Sequence, residues 1–276
     1  MTDLTISDPT AWNTVQEENQ YSLAKILAIW LAAALPMGLL SWVVYPALAP
    51  DFETDALGAG FTRTAVLAAG LIWVFVLALI IVYREEGDLR WPTLRRRLWL
   101  NTPRDPQSGK PSRKLWLWLI PISIMFPVVT FLIGPPLGRL WNSLFPFFAP
   151  PPGFDPGQAL GSPEAQAQFV GAWDFLLLFV VMAFFNIFGE EFLFRGVILP
   201  KMGGAFGKWD WVANGVLMGA YHWHQPWAMA GTIVVIVFLF AFPARLFRST
   251  WMALITHALQ YLLFIPLILA IVLGLA

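Results

Sequence analysis

The 276-residue sequence contains no cysteine, which excludes a disulfide framework, a thiol nucleophile and any cysteine-based metal site. Charge is nearly as scarce. Only 12% of residues are Asp, Glu, Lys or Arg, 58% are hydrophobic and mean hydropathy is +0.65, values that exclude a soluble globular domain. Formal net charge is zero, and nothing in the chain recruits nucleic acid.

Several catalytic signatures are missing as well. The metalloprotease pattern HExxH is absent, because the HWHQPW stretch starting at His222 has no Glu after its first histidine. A serine mechanism lacks a serine beside a histidine deep in a span: Ser162 falls in a loop, and Ser41 and Ser123 have no neighbouring motif. Asp174 and Asp210 both sit at span ends, which removes a paired-aspartate site. No inverted repeat is visible and the polar residues of the spans cluster in the C-terminal half, which weighs against a proton-coupled transporter.

What the sequence has in abundance is long hydrophobic runs. Runs near 24–46, 64–83, 115–134, 173–199, 210–224, 227–244 and 250–274 predict an all-α polytopic membrane bundle of about seven transmembrane helices, within a range of six to eight. Three regions follow: a polar, acidic segment at 1–22, N-terminal transmembrane helices over 23–160, and a C-terminal transmembrane core over 161–276. Because the first segment carries Asp3, Asp8, Glu17 and Glu18 rather than a basic n-region, the first span is expected to be a retained anchor. The Pro- and Gly-rich stretch from Asn142 to Gln168, nearly free of Lys and Arg, is expected as an external loop.

The loop 84–114 concentrates Arg84, Arg90, Arg95, Arg96, Arg97, Arg104, Lys110, Arg113 and Lys114, which places it in the cytoplasm by the positive-inside rule. Alternating the spans from that anchor brings Lys201, Lys208, Arg245 and Arg248 to the same side. The protein is thus expected to be a multi-pass integral membrane protein, assigned to the plasma membrane, with a cytoplasmic N-terminus. The basic cluster serves as a topological determinant, with anionic-lipid binding as the sharper alternative.

Against this apolar background, the stretch NIFGEEFLFRG, residues 186 to 196, sets Glu190, Glu191 and Arg195 inside the fourth span. An ionised side chain at mid-membrane costs about 2.5–3.5 kcal/mol, so such groups normally face a polar interior and serve a function. Glu191 and Arg195 are four apart with the acid first, the favourable order for a pair on one helical face. Glu190 is rotated by about 100° from Glu191 and has no intrahelical cation. It is expected to look into the bundle, where a carboxylate kept from water suits a general base. Its natural partners are His222 and His257, the latter about 13 Å of helical rise beyond Arg248 and hence at matching depth. His222 matches more loosely, and His224, beside Pro226, is read as interfacial. Glutamate and histidine, with or without a metal, remain as the means of activating water. Two histidines and a glutamate match a catalytic zinc set (Glu190, His222, His257), but no further carboxylate is placed to orient both rings, so no cofactor is expected.

These residues also carry a resemblance. EEFLFRG resembles the EExxxR motif of the CPBP family of intramembrane endopeptidases, which includes type II CaaX prenyl proteases and bacteriocin-processing or immunity relatives. The likeness covers roughly residues 170–270. Met218 to His222 (MGAYH) stands where that family has FxxxH, with Met for Phe, and His257 to Tyr261 (HALQY) stands where it has HxxxN, with Tyr for Asn. The resemblance implies that Glu190 and His222 polarise the attacking water, that His257 stabilises the oxyanion, and that Tyr261 or Gln260 replaces the family's Asn. Glu191 and Arg195 would keep an orienting role. The expected activity is hydrolysis of a peptide bond in a membrane-associated peptide or protein, at or in the cytoplasmic half of the bilayer. The departures at Met218 and Tyr261 keep a non-catalytic scaffold or immunity protein of the same fold as the alternative.

Overall fold

The computed structural model describes residues 19–151, 153–155 and 161–276, so nearly all of the polar 1–22 segment, and the retained-anchor reading that rests on it, lie outside the described residues. What is described is helical, with no strand. Six helices are long and apolar enough to cross a membrane: α1 (Leu23–Leu48), α2 (Ala56–Glu86), α3 (Arg113–Leu144), α4 (Trp173–Lys201), α6 (Pro226–Phe247) and α7 (Thr250–Val272). Between α4 and α6 lies α5 (Asp210–Tyr221), the predicted fifth span, which is only 12 residues long. That is about 18 Å of rise. Gly207, at φ +53°, ends the preceding turn, and the short 3-10 turn His222–His224 ahead of Pro226 ends α5. Among the described residues the candidate spans therefore number six, within the expected range of six to eight. α3 also runs ten residues past its expected end at 134.

Proline explains that extension and a feature shared by four helices. Each contains a turn of π-helix, and each such turn is followed two residues later by proline: Pro46 after Leu40–Val44, Pro135 after Val128–Ile133, Pro200 after Glu191–Ile198, and Pro243 after Ile236–Ala241. A proline ring collides with the carbonyl four residues back. In all four cases that carbonyl lies inside the widened turn. The residue before each proline donates its N–H five residues back instead: Tyr45 to Leu40, Gly134 to Val129, Leu199 to Phe194, Phe242 to Val237. The helix continues past the proline instead of ending.

In α4 the freed carbonyls find new donors. Arg97, 6% exposed and borne by the short helix Trp91–Arg97 of the basic loop, donates from Nη1 to Gly196 O at 3.0 Å and from Nη2 to Val197 O at 3.2 Å. Asn214 of α5 adds a second donor, at 2.8 Å, to Phe194 O, which already accepts from Leu199 N–H. Arg97 also joins a knot around Glu85 at the end of α2. That carboxylate receives Arg97 and Lys201 on Oε2, both at 2.9 Å, and Lys25 at 2.9 Å with the Tyr21 hydroxyl at 2.6 Å on Oε1. Burial pushes the Tyr21 phenol pKa up, so it remains a donor there. One acid thus ties α1, α2, the basic loop and α4 together at their charged end.

Replacing Arg97 by Ala leaves two buried carbonyls unsatisfied and removes a cation from Glu85. We expect a loss of about 2–4 kcal/mol of stability, with Arg97→Lys recovering only part because an ammonium lacks the planar fork. Thermal unfolding in lipid nanodiscs checks the order wild type, R97K, R97A.

Candidate active site

The site is built on the second half of α4, and its location depends on a glycine. A Cβ on Gly189 would lie 2.8 Å from the carbonyl oxygen of Leu71 and 3.3 Å from the backbone nitrogen of Phe75, so α2 and α4 touch backbone to backbone there. Just after this contact Phe192 stacks on Phe75 of α2, while Glu190 faces the end of α5 and Glu191 faces α7. Glu190 and Glu191 are 1% and 0% exposed, and Arg195 is 0% exposed.

Glu191 is the most engaged of these groups. Its Oε2 lies 3.2 Å from Arg195 Nε, and its Oε1 lies 3.0 Å from Nδ1 of His257 on α7. The Arg195 guanidinium lies 5.6 Å from the Phe240 ring of α6 and contacts the Met218 sulfur of α5 through Nη1. Met at the position of the family's Phe therefore serves as a soft acceptor beneath the arginine. Phe240 also stacks on the His257 ring, centroids 4.9 Å apart at 22°.

Glu190 faces α5. Its Oε1 lies 3.9 Å from Nε2 of His222, while Nδ1 of the same ring is 2.9 Å from the Met218 carbonyl. The carbonyl accepts from Nδ1–H, so Nε2 presents a lone pair to the carboxylate. Two acceptors form no direct bond, and 3.9 Å is a separation that one water molecule spans. Glu190 Oε2, Arg195 Nη2 and the Tyr221 hydroxyl are buried without hydrogen-bond partners among the described residues. The His222 side chain is 18% exposed, so the pair is open on that side.

The structure thus brings Glu190 together with His222, the histidine whose depth matched loosely. It brings His257 to Glu191 rather than to Glu190, against the sequence expectation. The reason is local: adjacent residues on a helix diverge by about 100°, and α5 and α7 approach α4 from different sides. Gln260 and Tyr261 do not reach the glutamates. Both converge on Asn186, whose Oδ1 accepts from Tyr261 Oη at 2.8 Å and from Gln260 Nε2 at 3.2 Å and lies 3.0 Å from His257 Nε2. Sequence reasoning passed over Asn186. Its signal was available: it precedes Glu190 by one helical turn and is the one polar side chain between Asp174 and Glu190.

Among the described residues no group of three His, Asp or Glu side chains gathers as a metal site. Of the three residues that a zinc reading would use, Glu190 and His222 face each other and His257 is directed elsewhere. Both nitrogens of His257 face side-chain partners, and that ring does have an orienting carboxylate, Glu191.

Residues 172–263 match the family model described as Type II CAAX prenyl endopeptidase Rce1-like, which supports the resemblance to the CPBP and CaaX-protease family. Neither a curated protein nor a solved structure matches the chain.

Gly189→Ala forces α2 and α4 apart beside the paired glutamates. We expect a loss of about 1–3 kcal/mol of stability from overpacking, together with a displaced Glu190, whereas the same change at Gly87, which has open space around it, costs only the strain of its φ of +80°. Unfolding of both variants in nanodiscs measures the difference.

Proposed function

We propose, from the Rce1-like match of residues 172–263, that this CaaX-protease-like membrane protein is an intramembrane endopeptidase that hydrolyses a peptide bond with a water activated by Glu190 and His222. The observation that carries the proposal is the buried Glu190 Oε1 standing 3.9 Å from a histidine nitrogen that presents a lone pair. Water between these acceptors donates a hydrogen to each, which turns an oxygen lone pair outward. In the reaction Glu190 takes one proton, the water oxygen bonds to the scissile carbonyl carbon and the carbonyl electrons move to oxygen. The tetrahedral intermediate then expels the amine, which receives the proton held by Glu190. Glu191 and Arg195 anchor the helix and hold His257, whose α7 neighbours Gln260 and Tyr261 carry the polar groups nearest to a developing oxyanion.

The substrate class we propose is a membrane-associated peptide with a prenylated C-terminal CaaX sequence, cut at the face carrying the basic loop, which we assign to the cytoplasm. A second reading, a non-catalytic scaffold or immunity protein of the same fold, is favoured by one observation. Both ring nitrogens of His257 are already taken up by Glu191 and Asn186, so the ring has no donor to spare until a contact rearranges.

Purified protein in proteoliposomes and a fluorogenic farnesylated CaaX peptide separate the two. Glu190→Gln is expected to lower turnover by about 100-fold or more while expression and peptide binding persist. Turnover within a few-fold of wild type in that variant removes the mechanism, and binding without turnover in the wild type establishes the scaffold. Since the site residues are engaged with one another, the proposal holds that turnover survives a strong chelator in metal-free buffer. Inhibition reversed by zinc alone points to a metal enzyme instead.

A further inference from the structure

The convergence of three α7 side chains on Asn186 has no counterpart in the residues assigned so far. We infer that Asn186 is a positioning residue: it fixes the His257 ring and holds the Tyr261 hydroxyl in reserve as a donor to the substrate's carbonyl oxygen. The second half rests on the hydrolytic reading above.

The ring of His257 is held on three sides. Glu191 Oε1 lies at 3.0 Å from Nδ1, Asn186 Oδ1 at 3.0 Å from Nε2, and Phe240 stacks on one face. Glu191 and Phe240 alone would let the ring tilt about the Nδ1 contact. A second polar contact across the ring removes that freedom, and it comes from the same helix that carries Glu190. Asn186 and Glu190 are four residues apart, on one face and separated by about 6 Å of rise. His257 is therefore referenced to the base through a single helical turn rather than through packing between separate spans.

Oxygen valence supplies the second half. A carboxamide oxygen has two lone pairs. Tyr261 Oη and Gln260 Nε2 fill them at 2.8 and 3.2 Å, while His257 also approaches at 3.0 Å. The oxygen is oversubscribed, so one group can leave at little cost. A phenolic O–H turns about its own C–O bond without moving the ring. Tyr261 is thus the donor best able to swing to an incoming oxyanion, leaving Gln260 on Asn186. In a span as apolar as WDFLLLFVVMAFFNIFGE, an amide serving only solubility would be costly.

The chain has three histidines, so selective ring-15N labelling gives three resolvable imidazoles in nanodiscs. In Asn186→Leu the His257 signals are expected to move while those of His222 and His224 hold. An unchanged His257 overturns the inference, and Asn186→Ser provides the same comparison if the leucine variant does not fold. With the farnesylated CaaX peptide in proteoliposomes, N186L is expected to lower kcat about ten- to hundredfold with KM nearly unchanged. Adding Tyr261→Asn, which returns a carboxamide one turn after His257, is expected to recover at least tenfold of that loss. A double variant no faster than N186L overturns the positioning role, since lost packing alone would not be restored there. If the wild type leaves the peptide intact, the hydrolytic reading fails and the NMR comparison alone decides the part played by Asn186.

Discussion

The structure depends on one buried carboxylate with two partners. Glu191 faces Arg195 on its own helix and His257 on α7, and Arg195 in turn meets Met218 of α5 and Phe240 of α6. Four helices are joined through a single charged group. In a bilayer the apolar surfaces of helices gain little by meeting one another, because lipid tails are equally apolar, so polar links and close backbone approach decide how the spans assemble. Removing one member of such a pair would leave the other charged and unpartnered in a low-dielectric interior, at a cost of about 3–5 kcal/mol. That cost makes the arrangement of α4, α5, α6 and α7 specific.

The same anchor determines what its neighbour does. With Glu191 held by Arg195 and His257, Glu190 cannot rotate toward α7 without dragging the pair, and helical geometry turns it toward α5. There it meets a histidine whose other nitrogen is held by a main-chain carbonyl. Two adjacent acids in one motif thus have different tasks: one is held by an ion pair to Arg195 and a contact to His257 and gives rigidity, the other faces His222 across 3.9 Å with no direct bond. The unsatisfied atoms of Glu190, Arg195 and Tyr221 sit where a polar reactant would be needed to complete them.

Much of this was legible in the sequence because it rests on short-range rules. The pairing of Glu191 with Arg195 follows from a spacing of four, and the all-helical class follows from composition and run length. The placement of His257 was misjudged because depth along a span says nothing about azimuth: Glu190 and Glu191 lie at nearly the same depth, and only the packing of α7 selects between them. α5 read as a span because hydropathy does not register that a glycine-rich start and a proline-bounded end leave just twelve residues between them. Asn186 was passed over for a different reason, although its place in the sequence was a signal. An asparagine in an apolar run has a readable role only when its partners are known, and they lie more than 70 residues away.

Prolines connect the site to the N-terminal spans, which lie outside the family match. Pro200 requires a widened turn, and the widened turn runs from Glu191 to Ile198, so the charged motif and the backbone irregularity occupy the same residues. Widening frees carbonyls that a regular helix would satisfy by itself, and in hydrocarbon those groups need donors from elsewhere. Arg97 brings them from the loop after α2, and Glu85 at the end of α2 holds Arg97 in place. Gly189 presses α4 against α2 just before the glutamates. The first spans are therefore part of the site's support: without α2 and its loop, the turn that presents Glu191 and Arg195 would have open carbonyls and no wall behind it. The irregular backbone that gives the motif its geometry persists because a cation from another segment completes it.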